Sequence, residues 1–285
     1  MIVGNITTLK KHVSTIVGDN FDLFNSHVSN ANQWLKNNFI GDDLYKLADE
    51  GTSTDKELKT FCERIVSLRA YETAIPFIDL VQTDSGFAVA SSDSLAPASS
   101  SRVKALTEAT KKEQDTAIEE LLAYLEKTNR YHDKWKESHC FTLLTDTYLH
   151  TLEEFERYAS FTVGTADRYP KSRRDYAALN GTMRDAIFSQ IEPVISPELN
   201  DELLNGLRQK NMNNANRKLL EPIRFALACF ALGLYDKANE YLRKALSILK
   251  ANPELYPTWR DSAIGSAELN RDKQENDKPI FFAGL

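Results

Sequence analysis

The stretch Ser172 to Leu204, SRRDYAALNGTMRDAIFSQIEPVISPELNDELL, constrains the fold most, because it echoes a segment about 155 positions earlier. With Ile195 set against Ile40 and no gaps, Leu179 meets Phe24, Met183 meets Val28, Ala186 meets Ala31, Val194 meets Phe39 and Leu199 meets Leu44. Apolar falls on apolar each time, at the spacing of one face of a helix. Each helix then meets a breaker, Gly41 after Phe39-Ile40 and Pro197 after Val194-Ile195. A second helix follows in each copy, with Leu58, Cys62, Ile65 and Val66 set against Leu219, Ile223, Ala226 and Leu227 at a spacing of 161. The change of six residues falls in the polar connector Asn205 to Asn214, where insertions are tolerated. Any two amphipathic helix pairs share some of this matching, so chance alignment stands beside the tandem reading.

The fold expected is mostly α, two related helical units arising by tandem duplication and joined by a β-hairpin and a long helix. The divisions are 1–76 for the first unit, 77–140 for hairpin and long helix, 141–251 for the second unit and 252–285 for an extended tail. A helix capped by Thr7 or Thr8 opens the chain, and Thr54 with Glu57 has capping-box spacing ahead of the next apolar run. Pro76 should end that helix, since proline disfavours helical geometry in the residue before it. Two short apolar runs around Asp84-Ser85-Gly86 read as the hairpin. From Arg102 the pattern Val103, Leu106, Ile118, Leu121, Leu125 reads as the long helix, with a solvated charged outer face. Asn129 to Ser138 reads as a polar loop, and Phe141 to Leu152 as an extended stretch turning into a helix.

Composition narrows the function. A net charge of -6 and a pI near 5.5 argue against gripping nucleic acid by counterion release, although non-specific passage of DNA is compatible with them. Cys62, Cys140 and Cys229 are odd in number and widely spaced, which suits thiols in a reducing compartment rather than a disulfide framework. Cys62 and Cys229 should be buried, with Cys140 in more polar surroundings. The N-terminus lacks the apolar core of a signal peptide and no run reaches the roughly 18 apolar residues of a membrane span. A soluble product is expected, with no membrane partner.

No catalytic, cofactor-binding or metal site is drawn by the sequence. His139-Cys140 with His132 and His150 lacks the paired spacing of a zinc site, and no phosphate loop or nucleophile elbow is present. Arg173 and Arg174 beside Lys171 form a small basic cluster that either pairs with Asp175 and Asp167 or contacts an acidic neighbour. Ile280, Phe281 and Phe282 are unusually apolar for a terminus and could lock adjacent copies by docking in a groove. Phe225 to Leu255 is similar to one tetratricopeptide hairpin. Such repeats need about three copies to bury a core, which leaves a peptide-binding helical scaffold as the alternative function.

SRRDYAALNGTMRDAIFSQIEPVI, GFAV with SDSLAPASSSRVKAL, and the ending KPIFFAGL together resemble an uncharacterised family from the structural-gene modules of Bacteroidetes phages and prophages. The repeated helix pair is also similar to the small helical head-tail connector, or portal adaptor, proteins of tailed phages. The resemblance implies a non-enzymatic ring subunit at the portal. It implies as partners the portal or neighbouring neck proteins and copies of the chain itself, and as location the virion, or the bacterial cytoplasm during assembly. The chain departs from those connectors in carrying two helix pairs with a hairpin and long helix between them.

Overall fold

The computed structural model describes residues 1–52, 54–78, 80–83, 86–89, 98–159 and 169–276. The chain divides into two compact units, Met1–Leu143 and Leu144–Leu285.

Unit 1 opens with α1 (Ile6–His12), whose N-cap is Asn5 rather than a threonine, its side chain accepting from Thr8 N at 2.9 Å. Helix α2 (Asp22–Leu35) runs into a π-helical turn, Lys36–Ile40, and the chain reverses into α3 (Gly41–Glu50). Helix α4 (Lys56–Ile78) is the central member and packs on α1, α2, α3 and α5. Strands β1 (Leu80–Thr83) and β2 (Gly86–Val89) follow, then α5 (Ser100–Lys127), α6 (Asn129–Lys136) and α7 (His139–Leu144). Val28, Leu35, Leu44, Leu58, Ile65, Val66, Leu121 and Leu125 are sealed from solvent and form the centre of this unit.

Unit 2 has α8 (Leu152–Ala159), then α9 (Arg173–Ala186), N-capped by Ser172 accepting from Asp175 N at 3.2 Å. A π-helical turn, Ile187–Ile191, leads to a single further turn, α10 (Glu192–Ile195), before the reversal into α11 (Pro197–Arg208). Helix α12 (Asn214–Ala231) is central, packing on α8, α9 and α13 (Tyr235–Ala251). A 3-10 turn Pro253–Leu255, α14 (Pro257–Arg260) and α15 (Ala263–Asn276) complete it. The core gathers Ile191, Ile195, Leu199, Leu203, Leu219, Ile223, Leu227, Leu249 and Trp259.

Each unit therefore runs short helix, distorted helix, reversal, helix, long central helix, antiparallel partner. The reversal falls on Gly41 (φ 76°) in unit 1 and on Ser196 (φ 71°) in unit 2, positions that are 155 apart. At Gly41 a side chain is excluded twice, since a Cβ there would lie 2.7 Å from Ser138 Cβ. Ser196 accepts the strained conformation while its hydroxyl caps α11, accepting from Leu199 N at 3.3 Å.

Several expectations need correction. The class is all-α, and a β-hairpin is not a module of the fold: among the described residues β1 and β2 pair only with each other, over four residues, and join no larger sheet. So short a ribbon has too few bonds to count as an independent element. Pro76 does not end α4, which continues to Ile78; in the last turn a missing N–H removes little from the helix. Asn129 to Ser138 is mostly helix rather than loop, because Tyr131, His132 and Trp135 are buried on one side of α6. Phe141 to Leu152 begins as α7, not as an extended stretch, and then turns, with Thr147 Oγ1 donating to Leu149 O at 2.6 Å. The region from 252 is helical as far as Asn276. Cys140 is as buried as Cys62 and Cys229, since the polar residues around it project outward from α6 and α7.

Two outcomes follow. Gly41→Ser should destabilise unit 1 by about 1–3 kcal/mol from backbone strain alone. Ser196→Gly should leave unit 2 unchanged or firmer, because a glycine cap loses only a few tenths of a kcal/mol. Urea unfolding of both variants checks this, and a silent Gly41→Ser would contradict it. All three thiols, whose pKa values burial pushes up, should resist thiol reagents in the folded chain. Rapid labelling of any of them would place it wrongly.

Candidate functional site

Helix distortion has a chemical consequence that the two units meet alike. A π-helical turn and a reversal leave carbonyls without their regular N–H partners, and in a buried setting these need other donors. In unit 1, Trp135 Nε1 donates to Phe39 O at 2.7 Å, and the Cys140 thiol donates to Lys36 O and Asn37 O at 3.4 and 3.3 Å. In unit 2, Trp259 Nε1 donates to Val194 O at 3.1 Å. Phe39 and Val194 are equivalent in the 155-residue register, so an indole closes on the same carbonyl in both copies.

Each tryptophan sits in the same small motif. Ser138 Oγ donates to Trp135 O and Ser262 Oγ to Trp259 O, both at 2.7 Å. The hydroxyls then accept from Phe141 N at 3.2 Å and Gly265 N at 3.0 Å, capping the next helix. A tyrosine just upstream completes the clasp: Tyr131 OH donates to Asp55 Oδ1 at 2.8 Å beside Thr54 O, and Tyr256 OH to Ala215 O at 2.9 Å. Thr54 and Ala215 are 161 apart, the register of the central helices. Asp55 also holds Arg130 at 2.9 Å and the Thr52 hydroxyl, and these partners keep its carboxyl below the usual range.

The units differ in the connection after the central helix. In unit 2 it is Leu232-Gly233-Leu234, with Leu234 N returning to Cys229 O at 2.8 Å, a Schellman-type stop. The register between copies falls from 161 at Leu58/Leu219 to 124 at Trp135/Trp259, so unit 1 carries 37 more residues in this region. Some of them lengthen both helices, α4 having 23 residues against 18 in α12 and α5 28 against 17 in α13, and most of the others lie in the connection between the two. The arm so formed exposes Phe77 (71%), Ile78 (37%) and Leu80 (49%), and no residue of α5 before Thr110 is buried.

The residues singled out from sequence fare unequally. Arg173 is only 6% exposed and lies over the Tyr176 ring at 5.6 Å, so it is an interior group of unit 2 rather than a contact offered outward. Arg174 beside it is half-buried and also engaged. Ile280, Phe281 and Phe282 lie outside the described residues. Of the His and Cys set, His132 packs edge-on to Phe141 with ring centroids 6.0 Å apart, while His150 Nε2 faces Thr147 O at 2.9 Å. Among the described residues no three His, Cys, Asp or Glu side chains come together as metal ligands. An open groove in unit 2 is lined by Tyr158, Leu207, Lys210, Met212, Arg217 and Arg224. Arg224 there is committed to Tyr148 O at 2.9 Å and Glu154 at 3.4 Å. No described helix is long and apolar enough to cross a membrane.

Trp135→Phe and Trp259→Phe should each cost about 1–3 kcal/mol, the penalty of leaving a buried carbonyl without a donor, plus lost packing. Trp34→Phe should cost less, since its indole N–H has no hydrogen bond among the described residues. Equal losses in all three, read by denaturant unfolding, would remove the clasp's special status.

The clasp was written in the sequence as WKES and WRDS, Trp-x-x-Ser at 135 and 259, each with a tyrosine three or four residues before it. Residues 14–143 and 233–267, more than half of the chain, match the model of a family of unknown function, DUF6712. The first stretch takes in nearly all of unit 1. The second, moved back by the 124 residues between the two tryptophans, falls on 109–143, the clasp-bearing end of unit 1. No curated protein matches the chain, and no solved structure does. The chain belongs to the DUF6712 family.

Proposed function

We propose that the chain is a structural subunit of a tailed phage or prophage, a head-tail connector that assembles with copies of itself in a ring at the portal. The observation that carries this reading is the repeated clasped scaffold combined with an arm inserted in one copy only. In both units a buried tryptophan holds a carbonyl at the end of the bent helix, Trp135 on Phe39 O and Trp259 on Val194 O. The inserted arm, by contrast, leaves large apolar side chains in solvent. An exposed apolar projection on a clasped unit suits assembly, and the sequence likeness to phage structural modules supplies the setting. In this reading the role is not catalytic. The net charge of -6 suits a ring through which DNA passes without being gripped, since adhesion to phosphates requires cations.

Co-expression with the portal protein from the same phage module tests the proposal. The expected result is co-purification and, by electron microscopy, a second ring tier on the portal. Portal rings that remain bare at saturating amounts of this chain, or intact tails on particles made without it, would overturn the reading.

A further inference from the structure

We infer that the α4–α5 arm of unit 1 is a docking surface for a second copy of this chain, received on the acidic outer side of α11. The inference rests on the reading of the chain as an assembling subunit and names the surface through which copies meet.

Unit 2 shows what the fold itself requires. It closes the same helix pair with the three residues Leu232-Gly233-Leu234, so the additional turns of α4 and α5 are not needed to complete such a unit. Those turns end in the exposed Phe77 and Ile78, and the exposed Leu80 of β1 follows two residues on. Phe77 touches only the His27 ring among the described aromatic contacts, at a centroid distance of 5.3 Å. Exposed apolar side chains gathered on an inserted projection mark a contact surface rather than a core.

Charge indicates what covers it. From Arg102 to Lys112 the arm carries four basic residues, Arg102, Lys104, Lys111 and Lys112, and one acid, Glu108, in a chain of net charge -6. Lys111 is held by Glu108 at 2.9 Å, whereas Arg102, Lys104 and Lys112 have no acidic partner among the described residues. The rest of the chain is correspondingly acid-rich, and α11 offers acid that is not already matched. Glu198 and Asp201 are exposed there without a basic partner among the described residues. In α3, the counterpart helix of unit 1, Asp42 is taken by Lys36 at 3.0 Å and Asp43 has Lys46 at 3.9 Å. An arm that offers both apolar and basic side chains meets an acidic protein face better than a nucleic acid. Phosphates reward the cations alone and would leave Phe77 and Leu80 in water. Complementary charge also sets register and speeds encounter.

Sedimentation velocity of the full chain is the test. Reversible self-association is expected, weakening as salt screens the charges. Arg102→Glu with Lys104→Glu and Lys112→Glu should weaken it by about tenfold or more, and Glu198→Lys with Asp201→Lys by a similar factor. Phe77→Ser with Leu80→Ser should weaken it while leaving its salt dependence in place. Every altered residue is exposed, so circular dichroism should report unchanged helix content. The set carrying both charge reversals should regain association, which a merely unfolded or nonspecifically altered protein would not. A chain that stays monomeric at all concentrations, or association indifferent to these variants, would overturn the inference. So would arm variants that lose binding to duplex DNA while still self-associating. Portal binding separates the two readings. Self-association through the arm without portal binding defeats the connector reading alone. Portal rings formed equally well by the arm variants defeat this inference alone.

Discussion

A helix that is bent inside a protein exposes backbone carbonyls to a medium that cannot solvate them, and the structure of each unit depends on how that debt of hydrogen bonds is met. The carbonyls lie at the end of the first long helix, where π-helical geometry and a positive-φ residue break the regular ladder. Their donors come from the far end of the same unit: the Trp135 indole spans 96 residues to reach Phe39, and the Trp259 indole spans 65 to reach Val194. Packing alone would tolerate many arrangements of α4 against α2. A directional N–H···O bond from a rigid, buried indole tolerates few.

This long reach explains which parts of the fold were legible in the sequence. Apolar spacing revealed the helix faces, since Val28, Ala31, Ile40 and Leu44 and their counterparts Met183, Ala186, Ile195 and Leu199 are all buried. Spacing reports one element at a time, however. It placed Tyr131, His132 and Trp135 in a loop because their neighbours Arg130, Asp133, Lys134 and Lys136 dominate the local polarity. The buried side of α6 is only a few residues wide, too narrow to register as a period. Gly41 was visible as a breaker, while the equivalent burden in unit 2 falls on Ser196, one residue before the proline that drew attention. Arg173 reads from sequence as one of a basic cluster that pairs with Asp175 and Asp167 or contacts an acidic neighbour; its guanidinium instead lies over the Tyr176 ring, a placement that depends on tertiary neighbours.

The candidate contact surface was harder to read than the scaffold. Phe77 and Ile78 follow Pro76, and from sequence they looked like the start of a strand rather than the exposed end of α4. Only by setting the two units against each other does the difference between core and addition become visible. The core comprises what both copies bury: the central helix, its partner, the bent helix and the Trp-x-x-Ser turn. The addition is what one copy has and the other closes with three residues. Selection for folding acts on the first set; selection for contact is free to act on the second.

That separation has a consequence for how the chain can change. Because the clasp joins the beginning and end of a unit, insertions between the bent helix and the central helix, or before the tryptophan, would have to keep both partners in reach. The connector before α12 has absorbed six residues relative to its counterpart, and it lies between two helices whose ends are already fixed by caps. The tip of the α4–α5 pair is different. The two helices run side by side, and lengthening both by whole turns carries the connection outward without moving Trp135, Tyr131 or the carbonyls they hold. The tip is thus where long additions come at little cost to the clasp, and the 37 extra residues of unit 1 fall between the start of its central helix and Trp135, the stretch that holds the tip.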